Sequence, residues 1–438
     1  MQPLPKEKID YHDLAARLIT RTILFKGALT MTFVRRILGI LILCLGLVLV
    51  FTPAFGQSGP IKIGAMFISS GGMGGYGKHG GQAIQLAVDE INGNGGVLGR
   101  KLEAIVEDTK LKKDIVIALA NKFIKEDKVD FLMGPTSSGL AFALSDIAKE
   151  NKKILVVTQA AADALTGPKL HPYIFSTLSS AMMHARSGAY LMAAKPYKRY
   201  MCVGPDYSYG HSSWDLFKSK LMELRPDVEI VGELFPKFLS KDYSEYIKQI
   251  QDAKPDAVWS PLWGADAVNF IRQALPTGLF EKVKFAFPCA GALEVLVPMG
   301  KDMPEGIYVS SRYFFTSPDS SMNRDFVKVY YERFKEYPDY MAGETYAGVY
   351  FIKAALERAG SVDTEKIIKA VERAPLAWET PEGWKVMRKE DHSAVEDCLW
   401  GETSFNKKYG FAIPKSFDCI QAEQICRSSE ELRQATGK

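Results

Sequence analysis

The chain has 438 residues, a formal net charge of +4 and 24% charged residues. That length exceeds what one hydrophobic core organises and predicts two lobes or domains. The small net charge, with Lys and Arg mixed among Asp and Glu and no basic run carrying interleaved aromatics, speaks against a nucleic-acid surface.

In chain order the first feature is an apolar run. Arg35-Arg36 precede ILGILILCLGLVLVF, and Thr52-Pro53-Ala54-Phe55-Gly56-Gln57 follow. A basic pair, an apolar stretch too short for a usual span, and small residues at Ala54 and Gly56 predict a cleavable secretory signal with cleavage before Gln57. Met31 just ahead of the basic pair reads as the true start, which makes residues 1–30 an extension and 31–56 the signal peptide. Cleavage removes Cys44 and leaves Cys202, Cys289, Cys398, Cys419 and Cys426. No C-x-x-C is present and histidine is scarce, so no metal site is expected. In an oxidising compartment the last three cysteines predict one disulfide, Cys419 with either Cys398 or Cys426, a choice that spacing leaves open.

Past the signal, short apolar runs alternate with amphipathic stretches. IKIGAMF, KLEAIVED, VDFLMG, KILVVT and Tyr173-Ile174-Phe175 read as strands, separated by predicted helices at 81–91, 114–126 and 139–150. The pattern then restarts. Helices at 181–195, 209–223, 243–252 and 265–275 alternate with RYMCVG, VEIVGEL, DAVWS and VKFAF. GIYVSS leads to three helices near 320–336, 343–359 and 363–373, and the segment from Gly383 to Cys426 reads as extra strands and loops. Such alternation predicts parallel sheets covered on both faces, in two doubly wound α/β lobes.

Ligands of open α/β sheets sit beyond the carboxyl ends of the strands. Four turns there carry the chemistry. In Ser69–His79, Gly72, Gly74 and Gly77 spell G-x-G-x-x-G, and Gly72 to Lys78 spell G-x-x-x-x-G-K. A phosphate loop needs Ser or Thr after the Lys, where His79 stands. A dinucleotide fingerprint needs an acid about twenty residues on, and Glu107 and Asp108 come too late. The loop is therefore expected to fold over a cleft and present Tyr76, and no cofactor is expected. At Pro135–Gly139, Ser137 and Ser138 open a helix, where hydroxyls and free amides suit a carboxylate; capping of that helix is the competing role. Thr158–Asp163 offers small residues, Ala160, Ala161 and Ala162, that leave backbone groups open. Asp206–Gly210 carries Tyr209.

These segments together resemble the periplasmic solute-binding proteins of ABC transporters, in the branched-chain amino acid binding group. The similarity runs from Ile61 to about Phe315 and more loosely to Ala374, through YGKHGGQAIQLAVDEINGNGGVLGRKLEAIVED, DFLMGPTSSGLAFALSDIA, ILVVTQAAADALTGP with YIFST, and GPDYSYG. GWKVMRKEDHSAV is similar to a segment of members whose ligands are not amino acids. The resemblance implies a type I periplasmic binding fold of two Rossmann-like lobes joined by three crossings, here residues 57–177 with 311–380 and residues 178–310 with 381–438. It implies no catalysis, a monomer in the periplasm, and membrane permease and ATPase subunits as partners.

The resemblance further implies that Ser138, with Ser137 beside it, grips a ligand carboxylate. Ala160, Ala161 and Ala162 fall on the backbone-contact turn, Tyr76 on the lid aromatic, Tyr209 on the second-lobe tyrosine, and Trp263 on a further aromatic. Amino-acid binders of the group place an acid after the VKFAF strand for the ligand ammonium. Cys289 stands there in this chain, and none of Asp206, Asp266 and Glu294 aligns as a substitute. The expected ligand is a carboxylate without an α-amino group, and Tyr76, Tyr209, Trp263 and Phe287 favour an aromatic or apolar acid. Two other functions share these features: an enzyme on the same scaffold, for which no G-x-S-x-G elbow or metal-spaced histidines exist, and a sensory protein reporting to a membrane receptor.

Overall fold

The structure is a computed structural model and describes residues 59–437. The predicted extension, the signal peptide and Cys44 lie outside the described residues. Among the described residues no helix is long and apolar enough to cross a membrane.

The first sheet contains β1 (Ile61–Phe67), β2 (Leu102–Asp108), β3 (Phe131–Met133), β4 (Ile154–Val157) and β5 (Ile174–Ser176), all parallel in the order β2-β1-β3-β4-β5. Its inner strands are continuous apolar runs because helices cover both faces. β3, β4 and β5 are buried throughout, while β2 at the edge is buried only at Leu102. Helices α1 (Gly74–Gly93), α2 (Lys113–Lys125) and α3 (Ser138–Glu150) make the crossovers.

The chain then passes to a second sheet through α4 (Ala181–Ala193), whose N-cap Ser180 accepts from the Met183 amide. In chain order come β6 (Arg199–Val203), α5 (Ser208–Leu224), β7 (Glu229–Leu234), α6 (Ser244–Ala253), β8 (Ala257–Trp259), α7 (Gly264–Ala274), α8 (Leu279–Lys282), β9 (Lys284–Phe287), α9 (Leu293–Met299) and β10 (Tyr308–Ser311). Strands β7-β6-β8-β9-β10 are parallel. A second passage leads to α10 (Ser321–Phe334), α11 (Tyr340–Ala359) and α12 (Thr364–Arg373), and α11 packs along α1 beside the first sheet. A small antiparallel sheet, β11 (Leu376–Thr380), β12 (Gly383–Met387) and β13 (Ala394–Val395), precedes the third passage. Then β14 (Cys398–Asn406) joins β10 antiparallel and pairs with β15 (Phe411–Pro414) and β16 (Asp418–Ile420). Short helices α13 (Ala422–Ile425) and α14 (Ser429–Thr436) end the described chain.

Three expectations are corrected. The glycine-rich stretch is the first turns of α1 and no free loop, and the glycines serve close packing. A Cβ at Gly77 would stand 2.2 Å from the Ile68 carbonyl oxygen, and one at Gly75 would stand 2.0 Å from the Glu294 carboxylate. Helix α9 has no counterpart in the sequence reading: it is seven residues long and holds Pro298, so it offers too little periodicity. Finally, all five described cysteines are free thiols, so the expected disulfide is absent. In the β14–β16 register Leu399 faces Cys419 and Cys398 faces Ile420. Successive residues point to opposite faces, which puts the buried Cys398 and the exposed Cys419 on opposite sides of the sheet.

Gly77→Ala is expected to destabilise the protein by about 1–3 kcal/mol through overpacking. Gly72→Ala, whose Cβ meets nothing within 4 Å, should change little. Urea unfolding of the two variants checks this.

Candidate functional site

A cavity enclosing about 400 Å³ lies beyond the carboxyl ends of strands from both sheets, lined by Thr136, Ser137, Ser138, Gln159, Ala161, Tyr207, Tyr209, Trp263, Cys289, Arg312, Tyr340 and Met341. Every lining group follows a strand or opens a helix, as the fold requires.

From the first sheet, β3 delivers Thr136, Ser137 and Ser138 to the start of α3. Ser137 occupies the N-cap position, yet its side chain makes no capping hydrogen bond, so the hydroxyl is not committed to the helix. Thr136 Oγ1 accepts from the Ile68 amide at 3.2 Å and donates to Gln159 Oε1 at 2.6 Å, tying the ends of β1, β3 and β4 together. From the second sheet, Tyr207 and Tyr209 flank the start of α5, Trp263 is the N-cap residue of α7, Cys289 follows β9 and Arg312 follows β10. Trp263 Nε1 donates to the Tyr207 hydroxyl at 2.9 Å, and the Tyr209 hydroxyl and Cys289 Sγ are 3.1 Å apart. Burial pushes both tyrosine hydroxyls and the Cys289 thiol up from their usual pKa, so all three are neutral at pH 7.

Arg312 donates through Nε to the Ser179 carbonyl at 3.0 Å, and its guanidinium lies 5.4 Å from the centre of the Tyr340 ring. Burial works against its charge, but an arginine keeps its proton at any ordinary pH. No Asp or Glu lines the cavity. Asp206 is exposed and sits 2.8 Å from His211, Asp266 accepts from the Leu239 amide, and Glu294 lies 3.6 Å from His79.

Of the residues singled out from sequence, Ser137, Ser138, Ala161, Tyr209, Trp263 and Cys289 come together on this wall. Ala160 is buried off the wall, and Ala162 lines an adjoining cavity with Phe142, Asp163 and Ser212. Tyr76 is 1% exposed and forms a layer behind the wall, its ring 5.3 Å from Trp263 and 6.0 Å from Tyr340. Phe287 is fully buried in the sheet. Sequence reasoning passed over Thr136, Gln159, Tyr207, Arg312, Tyr340 and Met341. For Arg312 the available signal was a lone cation inside the apolar run GIYVSSRYFF.

Below the wall, a buried charged cluster joins α11 to the small sheet. Lys385 Nζ stands 2.7 Å from Glu344, 2.5 Å from Glu382 and 2.8 Å from Glu396, and donates to the Thr177 carbonyl at 3.0 Å. Three clustered carboxylates have the makings of a cation site, but the ammonium already fills its centre. Beside it, Asp339 Oδ1 accepts from the amides of Leu293 at 3.0 Å and Tyr340 at 2.7 Å, holding the starts of α9 and α11 together. Burial, with the nearby Glu294 charge, pushes the Asp339 carboxyl up to about 7.

The family model described as periplasmic binding protein matches residues 60–407. The chain belongs to this family, and its relatives are of the branched-chain amino acid binding kind. Leu/Ile/Val-binding protein BraC3 of Rhizobium johnstonii is 26% identical over 361 residues, covering 81% of this chain and 91% of that protein. A solute-binding protein of an ABC transporter from Rhodopseudomonas palustris, solved with 3,4-dihydroxybenzoic acid, superposes with a TM-score of 0.74 at 24% identity, covering 83% and 98% of the two chains. Another from that organism, solved with benzoate, gives 0.72 at 22% identity, covering 84% and 100%. The architecture is the two-lobe type I fold that these proteins share.

Two outcomes are expected. Lys385→Met leaves three buried carboxyls without their cation and should cost about 3–5 kcal/mol in urea unfolding. For Asp339, the unfolded carboxyl titrates near ~3.9 and the folded one near 7. Between those values the folded state holds a proton that the unfolded state has lost, so this group's contribution to stability is present below about pH 4 and lost as the pH rises to about 7. Asp339→Asn should remove that part of the decline, read from unfolding free energies across the range.

Proposed function

We propose that this chain is an extracytoplasmic solute-binding protein that captures a small carboxylate lacking an amine, of the aromatic or apolar acid class, and delivers it to an ABC permease in the membrane. The observation that carries the reading is the composition of the cavity wall: aromatic rings, hydroxyls and a helix start, with no acidic side chain. A buried ligand ammonium without a counter-charge is costly, so a zwitterionic amino acid is disfavoured. A carboxylate finds the free amides of α3 and the hydroxyls of Ser137 and Ser138. The aromatic walls Tyr207, Tyr209 and Trp263 suit a flat apolar body. Support also comes from similar proteins that were solved with 3,4-dihydroxybenzoic acid and with benzoate.

In this reading the two lobes, one built on each large sheet, open to admit the ligand and close over it; the boundary expected at 380/381 moves to the passage after β13, because β11, β12 and β13 form one sheet. Closure expels water and strengthens the hydrogen bonds to the carboxylate. Tyr76 acts from behind, wedging the first turn of α1 against Trp263 and Tyr340 in the closed form. Secretion by the signal at 31–56 delivers the mature chain to the periplasm, where the closed shape meets the permease. No bond in the ligand is made or broken.

The test is a thermal-shift comparison of residues 57–438 with benzoate, 3,4-dihydroxybenzoate, leucine and valine. Ligand at a hundred times its dissociation constant stabilises by about 2.7 kcal/mol. The aromatic acids should raise the melting temperature and the amino acids should not; the reverse result defeats the reading. Trp263→Ala should weaken binding of the effective acid by about 1–3 kcal/mol, roughly the burial of one large side chain, in a titration against the wild type.

A further inference from the structure

Arg312 is the one charged side chain on the cavity wall. It leaves the end of β10 in the second passage between the sheets, and only Nε is tied to the backbone, at the Ser179 carbonyl. The ring of Tyr340 supports the guanidinium from one side, and the carboxylates that feel its charge, Glu344 and Glu382, are ion-paired to Lys385. A guanidinium offers five N–H donors in a flat fork that matches a carboxylate. The guanidinium is half-buried, so its remaining N–H groups are reachable from the cavity, and an entering anion would supply the opposite charge that the wall lacks. The absence of an acid at Cys289 and the presence of a cation at Arg312 reverse the charge that an ammonium-bearing ligand would need.

A second role competes for the same residue. Tyr340 and Glu344 lie one turn apart on α11, and Glu344 belongs to the cluster in which three carboxylates share one ammonium. Arg312 lies near enough to feel Glu344 as well as the cavity, so it would serve there as a second counter-charge. The two roles make different demands: a structural counter-charge needs only a cation, whereas a carboxylate receptor needs the fork and its aim into the cavity.

We infer that Arg312 fixes the charge of the ligand: its guanidinium is the counter-charge of the bound carboxylate, which restricts the site to monoanionic acids with a neutral aromatic or apolar body. The inference rests on the functional reading above and deepens it. Ser137, Ser138 and the α3 amides then orient the same carboxylate, and Arg312 sets the preference of acid over amide and over zwitterion.

The experiment is calorimetric titration of wild type, Arg312→Gln and Arg312→Lys with benzoate, 3,4-dihydroxybenzoate, benzamide and leucine, with circular dichroism to verify folding. Wild type should prefer benzoate to benzamide. Arg312→Gln should weaken the acids by roughly 10- to 100-fold, the range of a hydrogen bond to a charged group, and leave benzamide unchanged or improved. Arg312→Lys should fall between. If wild type binds the acids and Arg312→Gln binds them equally well, the inference is overturned while the functional reading stands. If wild type binds leucine or neither acid, the reading falls and the inference falls with it. If Arg312→Gln does not fold, Arg312→Lys decides: unchanged acid affinity overturns the inference, and a loss confined to the acids supports it.

Discussion

Parallel pairing is the constraint from which the rest of this molecule follows. A parallel strand needs a crossover, and a right-handed crossover returns the chain to the same edge of the sheet each time. All carboxyl ends of one sheet, and all the helix starts behind them, therefore share one edge. In this protein both sheets turn that edge toward a common cavity, so Ser137, Tyr209, Trp263, Cys289 and Arg312, spread over 175 positions of sequence from first to last, become neighbours. The antiparallel strands β14, β15 and β16 extend the second sheet away from β10 and contribute nothing to the wall.

Burial of charge shapes the floor beneath that cavity, and three residues solve the same problem differently. Lys385 is satisfied by excess, with three carboxylates and a backbone carbonyl around one ammonium. Asp339 has two helix-start amides on Oδ1 and none on Oδ2, and a raised pKa lets it shed its charge. Arg312 has a carbonyl and an aromatic face but no opposite charge bonded to it. An arginine cannot shed its charge at any ordinary pH, so Arg312 keeps a positive charge on the cavity wall.

The glycines around Tyr76 show how a pattern associated with one chemistry can arise from another constraint. A phosphate loop uses glycine to expose amides to an anion. In this chain Gly75 and Gly77 remove Cβ atoms that would collide with Glu294 and the end of β1, so that the first turn of α1 reaches the opposite wall. The result is a tight seal of Met73 and Tyr76 against Gly264 and Trp263.

The alternation of strands and helices, the second restart of that pattern and the strand-end turns were legible in the sequence, because periodicity and turn chemistry are local properties. Ser137 and Ser138 were legible as a helix start after a strand, whereas Tyr209, Trp263 and Cys289 were named through the family resemblance. What the tertiary structure decided was non-local. Helix α9 is too short to show a period, Arg312 directly follows β10 at a strand end the sequence reading passed over, and Tyr340 opens α11, a helix that no sheet strand directly precedes. The opposite faces of Cys398 and Cys419 depend on the register of β16 against β14, and the depth of Tyr76 depends on a helix start that glycines allow to approach. Local residue chemistry could name the kinds of groups a cleft would use; only the packing of the two sheets determined which of them share a wall, and which charged side chain lines it.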